Sequence, residues 1–483
     1  MKSYARPQPA ALWLEHNQVL SILTCHSYFQ RFDQKRLERN KPYPPLATLQ
    51  VTAMLREAGH RVSLFDAMLA DGLEEYERRL REARPQLVLL YEDNFNFLSK
   101  MCLGRMRTAA CEMIALARAA GCKVIAAGSD VSDAPEIYLR AGADFALKGE
   151  GLAALFELLP RLESQQGVEN GRLLQGLAGV ATLIDGQIVR LEGDHLLPTP
   201  AFDCIPAWDL LDLERYRGVW QRAHGFFSLN MAASRGCPFR CTWCAKPIWG
   251  SRYLQRSAAA IAKEMAFIKH TCKADHIWFA DDIFGFRVDW VEELARALEP
   301  LDGLVPFTIQ TRADLISEPM AQALAKAGCM EAWIGAESGS QRVLDAMNKG
   351  TDVAQIRTAR ARLKAVGIRV GFFIQLGYLE EELSDILATR DLLEATRPDD
   401  VGVSVSYPLP GTKFYELVRE QLGLKTHWED SADLAMLFQG TYTSEFYRAV
   451  RDLLHEQVTR GELDGSLDQR WQQLVLHEHE YRT

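Results

Sequence analysis

The sequence lacks any long apolar run. None of its 483 residues falls in a stretch of about 18 apolar residues, the length that a helix needs to cross a bilayer. Residues 1–20 also lack the apolar core of a secretory signal peptide. We therefore predict a cytoplasmic protein without a membrane span. In that compartment the ten cysteines would stay reduced, so a tight cysteine group would bind metal rather than form disulfides.

A surplus of basic residues is missing as well. The chain has 55 lysines and arginines against 64 aspartates and glutamates, which gives a net charge of -9. Non-specific binding to nucleic acid or to anionic membranes requires a basic surface, so we expect neither partner. The hydrophobic fraction of 48% indicates a globular protein with a large core.

The first third of the chain alternates strand and helix patterns. Apolar runs predict strands and helical spacing predicts helices, in the order Val19–Thr24 (strand), Leu46–Glu57 (helix), His60–Phe65 (strand), Gln86–Tyr91 (strand), Met101–Ala120 (helix) and Val124–Ala127 (strand). Alternating units of this length predict an α/β fold with a doubly wound parallel sheet of the flavodoxin or Rossmann type.

The pattern then changes. Val180–Ile184 and Gln187–Arg190 predict a hairpin around an Asp-Gly turn, and a proline-rich segment follows that we interpret as a linker. From residue 228 a second series of strands alternates with helices: Ser228–Ser234, His276–Ala280, Pro306–Thr311, Ala332–Ala336, Arg369–Leu376 and Gly402–Ser406. Six such strands predict a partial (β/α)6 barrel, with functional residues at the carboxyl ends of the strands.

These patterns predict four segments. They are a doubly wound domain (1–165), a hairpin and linker (166–226), a barrel (227–415) and a helical carboxyl-terminal segment (416–483).

Three cysteines form the strongest local signal. Cys237, Cys241 and Cys244 lie within eight residues, just after a predicted strand. Thiolates at this spacing can ligate three corners of a [4Fe–4S] cluster and leave one iron open for an external ligand. The alternatives are a structural zinc site, which needs a fourth ligand that no nearby residue offers at ligand-like spacing, and chance clustering of buried cysteines.

This spacing, with the aromatic Trp243 before the third cysteine, resembles the signature of the radical S-adenosylmethionine (SAM) family. The resemblance implies that SAM chelates the open iron and is cleaved by an electron to a 5′-deoxyadenosyl radical. It implies that Trp243 packs near the adenine. It also implies an external electron donor such as flavodoxin or ferredoxin.

The resemblance continues along the predicted barrel strands and implies further SAM contacts. Asp281 and Asp282 stand where the family carries an acidic motif for the SAM ammonium group, although the usual preceding glycines are missing, so either aspartate could act. Arg312 could clamp the SAM carboxylate or form a structural ion pair. The remaining implied contacts are Glu337, Ser338 and Gln375.

The first domain is similar to the cobalamin-binding domains that are attached to radical SAM barrels, so the chain as a whole resembles the family of radical SAM proteins with a B12-binding domain. The resemblance rests on Tyr-Pro-Pro-Leu opening a helix and on glycine-rich strand ends. The cobalamin contacts that it implies are Pro45, Leu46, Asp66, Met68, Asn94, Gly128, Ser129, Gly149, Glu150 and Gly151.

One feature of cobalamin mutases is absent. Their Asp-x-His-x-x-Gly motif supplies a histidine to cobalt, and here Met68 stands where that histidine would be. We therefore expect cobalamin to bind without a histidine ligand, and we do not propose Met68 as an axial ligand. The alternative for the whole domain is a flavodoxin-like fold that has lost its ligand.

The family resemblance implies methylation of an unactivated carbon, or of phosphorus, in a small-molecule substrate through methylcobalamin. Three alternatives remain: an anaerobic cyclase of the magnesium-protoporphyrin monomethyl ester type, a methylthiotransferase, and a cobalamin sensor without catalysis. The intact cysteine triad argues against a sensor, which needs no open iron. No catalytic residue is assigned from the sequence.

Overall fold

The computed structural model describes residues 19–95, 103–164, 170–193, 202–244, 252–422, 434–461 and 465–483. The chain divides into two compact units. The first unit comprises Met1–Asn230, Leu254–Glu264 and Thr271–Ala274, and the second comprises Met231–Tyr253, Met265–His270 and Asp275–Thr483. Within the described ranges, no helix has the length and apolar character to span a bilayer.

A seven-stranded sheet forms the centre of the first unit. Its strands are β1 (Ser21–Cys25), β2 (Arg61–Phe65), β3 (Leu87–Tyr91), β4 (Lys123–Ala127), β5 (Phe145–Leu147), β6 (Val180–Ile184) and β7 (Gln187–Leu191), and their order is β2-β1-β3-β4-β5-β6-β7. Strands β1 to β5 are parallel. The order 2-1-3-4-5 is that of flavodoxin-like folds, which bind ligands where the strand order reverses, between β1 and β3.

Helices cover both faces of this sheet. The helices that precede residue 228 are α1 (Gln34–Arg39), α2 (Leu46–Glu57), α3 (Leu73–Ala83), α4 (Leu103–Ala119), α5 (Ser129–Asp133), α6 (Pro135–Arg140), α7 (Leu152–Ser164), α8 (Asn170–Leu173) and α9 (Leu213–His224). Because side chains alternate along a strand, Ile22 packs in one core with α2 and α7, and Leu23 packs in the other with α3 and α4. The prediction of a doubly wound sheet is confirmed.

The predicted hairpin extends this sheet. β6 pairs antiparallel with β5 and with β7, so the hairpin is part of the sheet and does not stand apart from it. Asp185 and Gly186 have φ values of 48° and 77°, which is the geometry of the type I′ turn that joins two-residue hairpins.

The remaining strands are β8 (Ser228–Met231), β9 (Ser234–Arg235), β10 (Leu254–Gln255), β11 (His276–Phe279), β12 (Phe307–Thr311), β13 (Cys329–Glu337), β14 (Arg369–Leu376) and β15 (Asp400–Val405). Strands β9 and β10 pair with each other, and the other six form a second sheet in the order β15-β14-β13-β12-β11-β8. From β11 to β15 neighbouring strands are parallel, so their carboxyl ends meet at one edge of a half-barrel. The predicted partial barrel is confirmed.

The carboxyl-terminal part is helical, as predicted. The remaining helices are α10 (Ala258–Phe267), α11 (Val288–Leu298), α12 (Glu318–Ala327), α13 (Gln341–Ala346), α14 (Val353–Ala365), α15 (Leu383–Thr396), α16 (Lys413–Val418), α17 (Ser444–Arg460) and α18 (Gly465–Leu476). Helix α17 packs against β15 at the end of the sheet. Tyr442 and Phe446 stack at 4.2 Å between ring centroids, and Trp471 is fully buried.

Candidate functional site

The three cysteines lie on one loop of the second unit, which we call the cysteine loop (residues 236–244). It follows β9 and begins at Gly236, whose φ of 75° reverses the chain. Cys237, Cys241 and Cys244 are half-buried, and none forms a disulfide within the described chain. Three reduced, accessible thiols are the donor set that a [4Fe–4S] cluster with one open iron requires.

A mononuclear metal site fits this loop less well. Among the described residues, no three His, Cys, Asp or Glu side chains converge on one ion position. A cluster does not require such convergence, because each cysteine would bind a different iron. The donor set therefore fits the cluster.

The backbone of the cysteine loop is held by the loops that follow β13, β14 and β15. Thr242 N donates to Met347 O at 2.9 Å, and Phe414 N donates to Thr242 O at 3.0 Å. The hydroxyl of Tyr378 lies 2.7 Å from the hydroxyl of Thr242. Asn348 Nδ2 donates to Arg240 O at 2.8 Å. The residue between two of the candidate ligands is thus fixed by its amide, its carbonyl and its side chain.

Of the two predicted aspartates, Asp281 is buried and Asp282 is exposed. Asp281 accepts from Ala233 N at 3.0 Å and from the Ser234 hydroxyl, so it holds the segment that leads into the cysteine loop. Burial raises the pKa of Asp281 to about 7, against the opposing effect of the Ser234 hydrogen bond. The structure thereby distinguishes two residues that the sequence could not.

Arg312 contacts the cysteine loop directly. Its Nη1 lies 3.8 Å from Cys241 Sγ, and its guanidinium carbon lies 3.6 Å from the centre of the Phe239 ring. The rest of the guanidinium binds Asp314, with Nε to Oδ1 at 2.9 Å and Nη2 to Oδ2 at 3.1 Å. The ion pair that was one of two readings of Arg312 is therefore present.

Glu337 ends β13 with a φ of 61°, a conformation that L-residues rarely adopt. Its carboxylate binds Lys349 Nζ at 2.6 Å, and both side chains are buried. Burial alone would lower the pKa of Lys349, but the Glu337 carboxylate outweighs it and raises the pKa, so the lysine is charged. The Lys349 carbonyl also accepts from Arg312 Nη2 at 2.8 Å.

The other predicted SAM contacts lie within the same unit. Trp243 packs against an apolar cluster that includes Val343, Met347 and Phe414, and its Nε1 is shielded from solvent without a hydrogen-bond partner among the described residues. Ser338 and Gln375 are buried in internal hydrogen bonds. Ser338 accepts from Ser340 N at 3.1 Å, and Gln375 Nε2 donates to Ser406 Oγ at 3.0 Å.

In the first unit, the predicted cobalamin contacts gather at the carboxyl ends of β1 to β5, which we call the switch edge. Asp66 is already engaged there. It accepts from the Tyr216 hydroxyl at 2.6 Å and from Met68 N at 3.0 Å, and its Oδ1 lies 3.0 Å from His26 Nε2. The Met68 side chain is buried, in agreement with a packing role. Asp66 therefore organises this edge from within.

Two buried carboxyl groups follow β3. Glu92 accepts from Ser27 N at 3.1 Å, and Asp93 accepts from Ala47 N at 3.0 Å. Burial raises the pKa of both carboxyls, to about 6 for Asp93. Asp93 thereby fixes the first turn of α2, which begins at Leu46 directly after Pro45.

Asn94 and Ser129, unlike Asp66, Glu92 and Asp93, have side-chain polar atoms without hydrogen-bond partners among the described residues. Both amide atoms of Asn94 and the hydroxyl of Ser129 are shielded from solvent, and the described part of the chain offers them no partner. Buried polar groups are nearly always satisfied in native proteins, so unpartnered groups at a ligand-binding edge indicate room for a polar ligand. They fit the amide-rich rim of a corrin.

Packing accounts for the predicted glycines. A Cβ on Gly128 would lie 2.7 Å from Glu92 Cβ, and one on Gly151 would lie 2.6 Å from Leu147 Cβ. Gly149 N donates to Ser132 Oγ at 2.9 Å, and the Tyr91 hydroxyl donates to Glu150 O at 2.8 Å.

Sequence reasoning missed three residues: Lys349, Thr242 and Tyr378. Each acts through a partner that is distant in sequence, such as Glu337 for Lys349 or Tyr378 for Thr242. A single lysine, threonine or tyrosine carries no spacing pattern that would have revealed it.

Comparison with known proteins adds relatives of both units. An uncharacterised methyltransferase of Pyrococcus horikoshii is 24% identical over 392 residues, which are 80% of this chain and 81% of that protein. Hopanoid C-3 methylase of Methylococcus capsulatus is 24% identical over 429 residues, which are 83% of this chain and 74% of that protein.

Two solved structures share the fold. The radical SAM methyltransferase TsrM from Kitasatospora setae, solved with cobalamin and a [4Fe–4S] cluster, matches with a TM-score of 0.66 at 20% identity, over 84% of this chain and 76% of that chain. The cobalamin-dependent SAM radical enzyme OxsB matches with a TM-score of 0.62 at 19% identity, over 86% of this chain and 57% of that chain.

The cysteine loop and the half-barrel fall within one family match. Residues 231–393 match the model of the Radical SAM superfamily, and this range includes the three cysteines and every predicted SAM contact. Residues 231–393 therefore form a radical SAM domain, and the chain that carries this domain is an enzyme.

Proposed function

We propose that this enzyme is a cobalamin-dependent radical SAM methyltransferase that methylates an unactivated carbon, or phosphorus, of a small molecule. The observation that carries the proposal is the presence in one chain of a cysteine loop on a half-barrel and a flavodoxin-order sheet with unpartnered polar groups at its switch edge. Relatives named as methyltransferases that align with about four-fifths of the chain, which spans both units, support it.

In this proposal Cys237, Cys241 and Cys244 hold the cluster. When bound, the cluster would supply the electron that cleaves SAM, and cobalamin would supply the methyl group. The loops after β13, β14 and β15 keep the cysteines in place through Thr242, while Asp281 fixes the approach to the loop.

We assign SAM recognition to the same edge of the half-barrel. Asp282 is the exposed member of its pair and is our candidate for the ammonium group, because a carboxylate and an ammonium form a charge-assisted hydrogen bond. Trp243 offers an unpartnered indole N–H, and its ring is our candidate for the adenine contact. Arg312, Glu337, Ser338 and Gln375 lie at or near the carboxyl ends of β12, β13 and β14 and complete the proposed SAM site.

We assign cobalamin to the switch edge of the first unit. Asn94 and Ser129 would donate to and accept from the polar rim of the corrin. Gly128, Gly149 and Gly151 bring no side chain of their own to the neighbouring strand ends. Asp66 and His26 bind each other, so neither is proposed as a ligand of cobalt.

The proposal is tested by purifying the full chain without oxygen and with cobalamin supplied. About four irons per chain, as one cluster requires, and about one cobalt support it. Incubation with SAM and candidate substrates should then yield S-adenosylhomocysteine and 5′-deoxyadenosine together, because methyl transfer and radical formation each consume one SAM. Iron without cobalt would rule out transfer through methylcobalamin.

A second candidate is anaerobic oxidative cyclisation. The anaerobic magnesium-protoporphyrin IX monomethyl ester cyclase of Synechocystis aligns over 406 residues, which are 80% of this chain and 76% of that protein, at 22% identity. A cyclase transfers no methyl group, so 5′-deoxyadenosine without S-adenosylhomocysteine would favour it over the methyltransferase.

A further inference from the structure

We propose that Arg312 sets the reduction potential of the cluster by donating a hydrogen bond to Cys241 Sγ. This inference rests on the cluster site of the proposed function and is independent of cobalamin and of methyl transfer. It differs from a carboxylate clamp, because the partner of Arg312 is a cluster ligand and the effect is present before SAM binds.

The first observation is the direction of the guanidinium. Nη1 faces Cys241 Sγ at 3.8 Å, while Nε and Nη2 are bound to Asp314 and Nη2 also donates to the Lys349 carbonyl. The bidentate contact with Asp314 leaves Nη1 as the nitrogen that meets the sulfur. The planar guanidinium of arginine has five N–H donors, so it can bind the carboxylate and the sulfur at the same time. The single ammonium group of lysine could not do both.

The second observation is that the position is rigid. The guanidinium stacks on Phe239, which belongs to the cysteine loop itself, and Phe286 packs against the same ring at 6.2 Å between ring centroids. The Arg312 side chain is only 6% exposed. Because solvent is excluded, the charge is screened far less than it would be at the surface.

The third observation is the charge around the loop. Buried Lys349 brings a second cation whose charge interacts with Cys241. Each cation has its own carboxylate, Asp314 for Arg312 and Glu337 for Lys349. The net charge is therefore balanced, and the side of Arg312 that faces the sulfur is the positive one.

The physical consequence follows from the charge of the cluster. Reduction adds one electron, which makes the cluster and its thiolates more negative. A positive hydrogen-bond donor at a ligand sulfur stabilises the reduced form more than the oxidised form and raises the reduction potential. Arg312 thus makes it easier for an external donor to deliver the electron that SAM cleavage requires.

The test uses the full chain, reconstituted anaerobically with iron and sulfide and studied without SAM. The reduced fraction is measured by low-temperature electron paramagnetic resonance at a series of fixed potentials. For Arg312→Gln we expect the ratio of reduced to oxidised cluster at a given potential to fall about tenfold, which corresponds to about 59 mV for a one-electron couple.

A second variant covers the case in which Arg312→Gln does not assemble the cluster. Asp314→Asn removes the charge that balances the guanidinium, so the ratio should rise, by less than tenfold. Arg360→Gln is the matched control. Arg360 is also buried, but it donates to Arg397 O before β15, at the opposite end of the strands, and its loss should leave the ratio unchanged.

The outcomes separate the two proposals. A wild-type chain without a cluster would overturn the proposed function. A normal cluster whose potential is unchanged in Arg312→Gln, or that shifts the same way in Asp314→Asn, would overturn this inference. Weaker SAM binding with an unchanged SAM-free potential would likewise overturn it and would return Arg312 to the role of a carboxylate clamp.

Discussion

The cysteine loop and the switch edge are built in opposite ways. In the cysteine loop, three candidate ligands lie within eight residues, and the surrounding loops hold the backbone between them. At the switch edge, the candidate contacts come from separate strand ends. Asp66 already binds His26 there, whereas Asn94 and Ser129 have no partner among the described residues. A ligand that is held by a short loop leaves a motif in the sequence, whereas one held by a sheet edge leaves scattered residues.

Both regions nevertheless use a buried aspartate in the same way. Asp281 holds the approach to the cysteine loop through Ala233 N and the Ser234 hydroxyl, and Asp93 holds the start of α2 through Ala47 N. Burial raises the pKa of each carboxyl, to about 7 and about 6 respectively. Each unit therefore pairs its candidate site with an internal, pH-sensitive support.

The largest expected effect is the loss of iron from the cysteine loop while the switch edge still binds cobalamin. Cys241→Ala removes one of three thiolates, so the variant should lose nearly all iron and all SAM cleavage while it still binds cobalamin. Iron and sulfide analysis and cobalamin retention on gel filtration measure the two sites independently. Cys329→Ala, at a buried cysteine within β13, is the control and should keep its iron.

Two outcomes would count against this comparison. Iron retained in Cys241→Ala would mean that the loop is not the ligand set. Cobalamin lost together with the iron would mean that the two sites are not independent.

The next effect concerns the buried aspartates. A carboxyl whose pKa is raised in the folded state contributes stability that is complete below its unfolded pKa of about 3.9 and is lost as the pH rises through its folded pKa. For Asp281 the loss between about pH 4 and pH 8 is at most about 4 kcal/mol, and for Asp93 it is at most about 3 kcal/mol, at 1.36 kcal/mol per pKa unit.

Asparagine mimics the protonated form, because its amide can donate to the Ser234 hydroxyl, which in turn donates to Ile283 O at 3.3 Å. Urea unfolding of Asp281→Asn should therefore show a weaker pH dependence than the wild type and a higher midpoint at pH 8. Asp93→Asn should show the same behaviour to a smaller extent. An unchanged pH dependence in Asp281→Asn would show that Asp281 titrates below pH 4 in the folded protein.

The two sites also differ in how far the sequence could predict them. The sheet, the half-barrel and the helix Leu46–Glu57 followed from apolar runs, helical spacing and the stop at Gly59, which are local signals. The cysteine loop followed from spacing. The partner of Asp66, by contrast, was not predictable, because His26 lies on a different strand end 40 residues away.

The same reason explains the ambiguous residues. The sequence could not show which of Asp281 and Asp282 is exposed, because only the folded structure determines burial. It also could not decide between the two readings of Arg312. Its partner Cys241 comes close to it only when β12 lies beside the cysteine loop, where Arg312 also binds Asp314. Hydrogen bonds between distant loops carry no periodicity, so their partners emerge only from the folded chain.

A smaller effect tests the switch edge. Asn94→Leu replaces an amide that lacks partners among the described residues. If cobalamin binds this amide, its affinity should fall by about 1–3 kcal/mol, which is about 5-fold to 150-fold. Equilibrium dialysis with cobalamin measures it. Gln86→Leu is the matched control, because its amide binds Ser21 N at the opposite end of β1. If Asn94→Leu binds cobalamin with unchanged affinity and is more stable than the wild type, the Asn94 side chain packs in an apolar environment and does not bind cobalamin.

The smallest effect concerns the hydroxyl that supports the cysteine loop. Tyr378 bridges the Thr242 hydroxyl at 2.7 Å and Ala346 O at 3.2 Å, and one such bond contributes about 1 kcal/mol. Tyr378→Phe should therefore lose iron to a chelator only a few times faster than the wild type, because the amide and carbonyl of Thr242 remain bound. Tyr415→Phe, a half-buried neighbour on α16, is the control and should not change the rate.

A double-mutant cycle decides whether that hydroxyl acts on the loop or only on local packing. If the two hydroxyls bind each other, Thr242→Val and Tyr378→Phe should each accelerate iron loss, and the double variant should lose iron no faster than the stronger single variant. Strictly multiplicative rates would mean that the residues act separately. Each hydroxyl would then act through its other bond, Thr242 Oγ1 through Met347 O at 3.1 Å and the Tyr378 hydroxyl through Ala346 O at 3.2 Å. Several independent bonds, rather than one hydroxyl pair, would hold the cysteine loop.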